Sequence, residues 1–160
     1  MLLNGVLFHL GWWSCVLFRN WFSLLVVLLI LVVYLSIEEQ RKRGVILLMT
    51  AIVFGFAIDN AMLSESVLIP EGSGQFAPLW MTALWPLLAT TLNVAFKGLQ
   101  TKLVLASVLA GIAAPFSYFA AVRLDAAAFG VPAEFALLGI GCVWMIAFPV
   151  ALLYTRQLMR

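Results

Sequence analysis

The acidic residue best placed to do chemistry is Asp59, which lies beside Asn60 in the apolar stretch GFAIDNAML, residues 55–63. An ionisable side chain inside a membrane span costs several kcal/mol, so it is retained mainly where it faces protein or water. Two interpretations are open. Asp59 is a helix-end carboxylate that pairs with Arg123 or is hydrogen-bonded by Asn60. Alternatively, it carries a proton or contacts a substrate in an outward-facing cavity.

Polar side chains also follow one face of the segment 79–97, LWMTALWPLLATTLNVAFK. At the helical period of 3.6 residues, this face carries Leu79, Ala83, Pro86, Thr90, Asn93 and Lys97. Thr90 and Asn93 are therefore candidate ligand contacts, together with Trp80 and Trp85 of the same segment. The alternative is that Thr90 and Asn93 join neighbouring helices by hydrogen bonds worth about 0.6 to 2 kcal/mol each.

The remaining candidate residues are His9, Tyr118 and Arg123. His9 is the only histidine, and one histidine does not make a multi-ligand metal site, so no metal is predicted. We expect His9 to be a hydrogen-bonded core residue, with proton relay or ligand contact as the alternatives. Tyr118 comes to about the depth of Asp59, and Arg123 follows it toward the end of the same apolar run.

Familiar catalytic signatures are absent from the sequence. It has no Walker loop, dinucleotide glycine fingerprint, HExxH, CxxC or nucleophile elbow. No cofactor is therefore predicted. Asp59 alone among the seven acidic residues lies well inside an apolar run, so paired-carboxylate chemistry would need Asp125 or Glu134 from the edge. Whether the chain is an enzyme stays open.

The composition identifies an integral membrane protein. The chain is 65% hydrophobic and 10% charged with a mean hydropathy of +1.12, against roughly 45–50% apolar and about 25% charged residues in soluble domains. Its 160 residues are enough for a single transmembrane domain. A net charge of +2 from scattered basic residues predicts no binding to nucleic acid.

Six apolar runs lie near the roughly 20 residues that cross a bilayer. They predict an all-α bundle of six transmembrane helices at about 2–18, 21–37, 45–63, 79–97, 102–122 and 134–155. The first two are short and separated only by Arg19 and Asn20, so a re-entrant pair is the alternative. Residues 64–78 contain the prolines and glycines of a loop, and this connection is best able to form a lid.

The basic residues predict the orientation. Seven of the nine Lys and Arg residues fall on one side of the six predicted spans: Arg41, Lys42, Arg43, Lys97, Lys102, Arg156 and Arg160. By the positive-inside rule that side is cytoplasmic. Both termini are then cytoplasmic and the loop 64–78 is outside. Trp12, Trp13, Trp21 and Trp80 are expected at the outer interface, where tryptophan is enriched.

Four stretches together resemble an uncharacterised bacterial inner-membrane family, a domain of unknown function. They are Asp59, APLWMTALWPLLATTLN at 77–93, APFSYFAA at 114–121 and VWMIAFP at 143–149. The resemblance covers nearly the whole chain and implies a multi-span protein of the bacterial cytoplasmic membrane, with no activity to transfer. The resemblance also implies a lipid-related role, because genes of this family often neighbour genes for enzymes that modify membrane fatty acids. His9 and Val94 depart from the family pattern.

Three functions remain open. The first is binding or transport of a lipid-like or weakly polar molecule, with membrane lipids as partners and a homo-oligomer as the assembly. The second is a membrane enzyme acting on acyl chains through Asp59, Tyr118 and His9. The third is an accessory subunit of a lipid-modifying enzyme, docked through the small residues Ser107, Gly111 and Ala114.

Overall fold

A computed structural model describes residues 2–160, and it is all-helical apart from one short strand pair. The helices are α1 (Leu2–Phe18), α2 (Trp21–Ile37), α3 (Arg41–Ser64), α4 (Leu79–Thr82), α5 (Leu84–Leu92), α6 (Leu103–Arg123) and α7 (Ala133–Leu158), with a 3-10 turn at Lys97–Leu99. Strand β1 (Ile69–Pro70) pairs antiparallel with β2 (Ala127–Ala128). The predicted all-α class is confirmed.

Three of these helices identify a membrane protein. Among residues 2–160, α3, α6 and α7 are long and apolar enough to cross a bilayer, while α1, α2 and the segment Leu79–Leu92 are apolar but shorter. Large apolar side chains point outward from the bundle. Val104 and Phe116 of α6, for example, are 81% and 71% exposed. Such a surface suits lipid, because it would expose a large apolar area to water.

The helix predicted at 79–97 is shorter and interrupted. The helix is interrupted at Ala83, between α4 and α5. Pro86 explains the break, because proline lacks a backbone donor and its ring clashes with the carbonyl four residues earlier, that of Thr82. The segment then ends at Leu92, whose carbonyl accepts a hydrogen bond from Gln100 Nε2 at 3.1 Å. Asn93 is the C-cap residue of α5, and Lys97 lies in the 3-10 turn that follows.

Helices α6 and α7 pack on each other more extensively than any other pair. At their crossing, a Cβ on Gly141 would come within 3.0 Å of the carbonyl oxygen of Gly111. Ser107 Oγ donates to the carbonyl oxygen of Met145 at 2.6 Å. The small-residue face expected to dock a partner is thus covered at Ser107 and Gly111 by α7 of the same chain.

The loop 65–78 is fastened to one end of the bundle, which we call the loop end. Arg19, in the turn between α1 and α2, forms an ion pair with Glu71 and donates to the carbonyl oxygen of Leu124 at 3.4 Å. Trp80 Nε1 donates to the carbonyl oxygen of Glu71 at 3.1 Å. Trp80 is buried, so its ring packs inside the bundle at the loop end and not on the outer surface. The opposite end, which carries Arg41–Arg43, Lys97 and Arg156, is the basic end.

Candidate functional site

Asp59 of α3 is buried, and only one of its two carboxylate oxygens is hydrogen-bonded. Its side chain is 1% exposed, and Oδ1 accepts a hydrogen bond from Trp85 Nε1 of α5 at 3.0 Å. The second oxygen, Oδ2, is also buried, and within residues 2–160 nothing donates to it. A buried acceptor without a partner costs about 1 to 3 kcal/mol, so Oδ2 is available to a donor from outside the chain.

Gly55 explains how Trp85 reaches this carboxylate. Gly55 lies one helical turn before Asp59, and a Cβ at that position would overlap the indole ring of Trp85. The missing side chain lets the indole lie directly against the backbone of α3, which is a common use of glycine. Phe54 meets the same indole edge to face, with 6.0 Å between ring centroids. The position of the donor is therefore fixed by packing.

A second tryptophan, Trp144 of α7, stacks on Trp85. Their rings are 5.1 Å apart between centroids and 9° from parallel. Trp144 Nε1 is buried, and no residue in the described part of the chain accepts its hydrogen. A buried indole N–H usually has a hydrogen-bond partner. The stack thus carries one donor that is satisfied by Asp59 and one that lies near the Tyr118 hydroxyl without reaching hydrogen-bond geometry.

These groups border an apolar cavity of about 320 Å³, within the size range of small-molecule sites. We call it the aromatic cavity. Its walls come from α1, α3, α4, α5, α6 and α7, and Leu68 and Ala127 border it toward the loop end. Along α6 it extends from Leu109 to Ala121, about 18 Å at the helical rise of 1.5 Å per residue. The cavity is therefore long as well as apolar.

The polar atoms of the aromatic cavity are few and come together at one depth. Asp59 supplies an acceptor and Trp144 a donor, and the half-buried Tyr118 and Ser117 of α6 line the same space. Among residues 2–160, no three His, Cys, Asp or Glu residues cluster closely enough to hold a metal ion. The arrangement can exchange hydrogen bonds with one small polar group inside an otherwise apolar site.

Residues 1–150 match the model of a family described as "Protein of unknown function (DUF2878)". The chain belongs to this family. No curated protein and no solved structure matches it. The resemblance to a domain of unknown function is confirmed, and the DUF2878 match includes every residue that lines the aromatic cavity.

Within the DUF2878 region, the structure brings together four of the predicted site residues. Asp59, Trp80, Trp85 and Tyr118 all line the aromatic cavity. Thr90 and Asn93 line a different cavity at the basic end. Thr90 is separated from Asp59 because it lies five residues after Trp85 on α5, about 7 Å farther along the helix and on another side of it, and Asn93 follows at the end of α5.

Three other candidates line neither cavity. His9 is exposed on α1, with Nδ1 2.8 Å from the carbonyl oxygen of Gly5, so its expected place in the core is wrong. Asn60 receives a hydrogen bond from the backbone N–H of Ala77 at 2.9 Å and does not bond Asp59. Arg123 is exposed.

The expected partners of Asp59 are therefore replaced by Trp85. Within residues 2–160, Arg123 forms no ion pair with Asp59. The reason is geometric, since Asp59 faces the bundle interior whereas Arg123 projects from its surface.

Trp144 is the site residue that the sequence reasoning missed. One signal was present, because Trp85 and Trp144 lie in the middle of apolar runs and not at their ends, where membrane tryptophans concentrate. The stacking itself depends on how α5 and α7 meet in space.

Proposed function

We propose that this protein binds, in the aromatic cavity, a lipid-like molecule with a long apolar body and one small hydrogen-bonding group. The carrying observation is the buried oxygen Asp59 Oδ2, which borders the cavity and receives no hydrogen bond from residues 2–160. Buried polar atoms are nearly always paired. A donor on the ligand would supply the missing hydrogen bond.

The unpaired N–H of Trp144 restricts which kinds of polar group the ligand can carry. A hydroxyl or an un-ionised carboxyl group both donates and accepts hydrogen bonds. Such a group would donate to Asp59 Oδ2 and accept from Trp144 Nε1, satisfying the two partnerless buried atoms of the residues that line this cavity. A purely apolar ligand would satisfy neither. Long-chain alcohols and un-ionised fatty acids therefore fit better than hydrocarbons.

The wall formed by α6 offers a route from the bilayer. Leu109 lines the cavity yet is 46% exposed, and Ala113 likewise lines it and is exposed. Phe8 and Trp12 of α1 form the facing wall, and α1 and α6 are not among the helix pairs that pack closely within residues 2–160. A ligand dissolved in the membrane would enter between these two helices.

The membrane arrangement is part of the proposal. All six helical segments cross the bacterial cytoplasmic membrane, with the basic end and both termini in the cytoplasm, as the distribution of Lys and Arg favours. The loop 65–78 then closes the outer end of the aromatic cavity through Leu68. The α4–α5 segment is short for a span and would cross with the help of its flanking turns.

Mass spectrometry of small molecules that copurify with the protein tests the proposal. Wild-type protein is expected to carry a specific chain-bearing alcohol or acid, and Asp59→Asn to lose most of it. Asparagine keeps an oxygen that accepts from Trp85, so the variant is expected to fold. Asp125→Asn is the control, because Asp125 is exposed and lines neither cavity. Bulk phospholipid alone in both wild type and Asp59→Asn would contradict the proposal.

A cavity-filling variant tests the same site without altering Asp59. Ala114 lines the aromatic cavity, and Ala114→Phe is expected to displace the ligand by occupying its space. Ile112→Phe, at a position 56% exposed and outside the lining, is expected to retain it. Equal ligand content in these two variants would remove the aromatic cavity as the binding site.

A further inference from the structure

A second cavity of about 590 Å³ lies at the basic end of the bundle. We call it the basic-end cavity. It is enclosed by the start of α1, the end of α2, the end of α5, the turn after α5 and the end of α7. It shares no lining residue with the aromatic cavity. It is therefore a separate candidate site.

One wall of the basic-end cavity is apolar. Leu3 and Leu7 of α1 and Ile30, Val33 and Ile37 of α2 form it. Leu3 and Ile37 are 59% and 67% exposed, so this wall continues onto the outer apolar surface of the two helices. A ligand lying here would have an apolar part in contact with the membrane-facing surface.

The lining also includes a charged wall with residues of both signs, of which Glu38 and Glu39 directly follow Ile37. Lys97, Arg156 and Arg160 supply positive charge, while Glu38 and Glu39 supply negative charge. Within residues 2–160, the ion pair Arg19–Glu71 is at the other end of the bundle, and none joins these five side chains. Charges that line one cavity without pairing with each other remain available to a ligand that bears both signs.

Buried polar atoms in the same cavity also lack partners. The Tyr34 side chain is 8% exposed. Its hydroxyl lies near the Glu38 carboxylate but is within hydrogen-bond geometry of no residue that the structure describes. Asn4 donates through Nδ2 to the Thr90 carbonyl oxygen at 3.1 Å, which leaves its buried Oδ1 without a donor from residues 2–160. Tyr34 and Asn4 both line the cavity, so it presents a free hydroxyl and a free acceptor.

We infer that the basic-end cavity binds the head group of a zwitterionic phospholipid with a primary ammonium, that is, a phosphoethanolamine lipid. The phosphate lies against Lys97 and Arg156, since Arg and Lys are the usual phosphate-binding side chains. The ammonium lies toward Glu38 and Glu39. The Tyr34 hydroxyl donates to an ester or phosphate oxygen, and Asn4 Oδ1 accepts from the ammonium, whose hydrogens are the only donors of this lipid. The acyl chains follow the apolar wall of α1 and α2.

The apolar wall distinguishes a lipid from a soluble phosphate compound of the same charge. A free phosphoethanolamine molecule would use only the charged wall and would leave Leu3, Leu7 and Val33 facing an empty space. Burial of acyl chains on that wall contributes about 25 cal/mol per Å² of apolar area. The lipid is therefore expected to bind far more tightly than the soluble head group.

Native mass spectrometry of the purified, delipidated protein tests this inference. The protein is titrated with phosphatidylethanolamine, phosphatidylcholine, phosphatidylglycerol and soluble phosphoethanolamine. Phosphatidylethanolamine is expected to bind most tightly, because the choline lipid has no ammonium hydrogens and the glycerol lipid has no cation. Equal binding of the three lipids, or full competition by soluble phosphoethanolamine at the same concentration, would overturn the inference.

Variants locate the binding. Arg156→Gln and Lys97→Gln are each expected to weaken phosphatidylethanolamine binding by about tenfold, the scale of one charge-assisted hydrogen bond. Lys102→Gln is the matched control, because Lys102 is exposed and outside the lining. Unchanged affinity in both lining variants would overturn the inference.

Tyr34→Phe separates binding from folding. The Tyr34 hydroxyl lies near Glu38 but is within hydrogen-bond geometry of no residue among 2–160, so its removal is expected to change the unfolding temperature of the delipidated protein little while lowering lipid affinity. Affinity equal to wild type would contradict the role of the hydroxyl. Asp59→Asn is expected to leave phosphatidylethanolamine binding intact, which distinguishes failure at this cavity from failure of the proposed function.

Discussion

At the scale of single residues, the informative groups are buried polar atoms that the chain leaves without partners. Asp59 Oδ2 and Trp144 Nε1 border the aromatic cavity, and the Tyr34 hydroxyl borders the basic-end cavity. Membrane interiors make such atoms more costly than they would be near water. Their occurrence in cavities, and not in tightly packed regions, is what connects them to ligands.

The same substitution at the two stacked tryptophans is expected to have different effects on stability. Trp85→Phe removes the donor to Asp59 Oδ1, leaving both carboxylate oxygens without a partner. Trp144→Phe removes an N–H that bonds nothing within residues 2–160. We expect Trp85→Phe to lower the free energy of unfolding by about 1 to 3 kcal/mol more than Trp144→Phe. Thermal unfolding of the delipidated variants in detergent measures the difference.

A double variant checks the cause. Combining Trp85→Phe with Asp59→Leu removes the stranded carboxylate, so the double variant is expected to be at least as stable as Trp85→Phe alone. Equal stability losses in the two single tryptophan variants would mean that the Asp59–Trp85 hydrogen bond contributes little.

At the scale of helices, glycines decide how closely the segments approach. Gly55 admits the Trp85 indole to α3, and Gly111 and Gly141 bring α6 and α7 into backbone contact. Close approach through small residues is a common mode of helix association in membranes. The α6–α7 pair therefore forms a firm unit, and the aromatic cavity lies where this unit faces α1 and α5.

Gly141→Leu is expected to disrupt that unit. A Cβ at Gly141 already meets the Gly111 carbonyl oxygen at 3.0 Å and Pro115 Cγ at 3.4 Å, so a larger side chain must separate the helices. Overpacking of this kind costs about 1 to 3 kcal/mol, measured by thermal unfolding in detergent. Gly139→Leu is the control, since a Cβ there meets nothing within 4 Å. Equal stability of the two variants would contradict this packing role.

At the scale of the whole molecule, the two cavities differ in extent and in chemistry. The aromatic cavity runs through the bundle from Phe96 and Leu99 to Leu68 and Ala127, whereas the basic-end cavity lies at the basic end. The aromatic cavity is apolar and is covered at the loop end, while the basic-end cavity is charged. If the basic end faces the cytoplasm, charged head groups bind on that side and the aromatic cavity lies deeper in the membrane. The orientation therefore determines what each cavity can meet.

Cysteine labelling tests the orientation. In a chain with Cys15 and Cys142 replaced by alanine, Gln75→Cys in the loop 65–78 is expected to react with a membrane-impermeant maleimide in intact bacterial cells. Lys42→Cys at the basic end is expected to react only after the cells are opened. Both positions are exposed. Labelling of Lys42→Cys in intact cells would contradict the proposed orientation.

The sequence by itself determined the class of the molecule and most of its helices. Long apolar runs with few charges specify membrane helices because the bilayer requires apolar side chains and internally satisfied backbone groups. Asp59 and Tyr118 also stood out in the sequence, because a polar side chain within an apolar run is costly wherever the helix packs.

Only the tertiary structure decided which polar groups meet. Trp85, and not Arg123 or Asn60, bonds Asp59, because the partner depends on how α3 and α5 cross at Gly55. Thr90 and Asn93 belong to the basic-end cavity because they lie at the far end of α5 and on another side of it from Trp85. Helical periodicity predicts which residues are neighbours along one helix. Contacts between helices depend on the relative rotation and depth of the helices, and a single apolar sequence hardly specifies either.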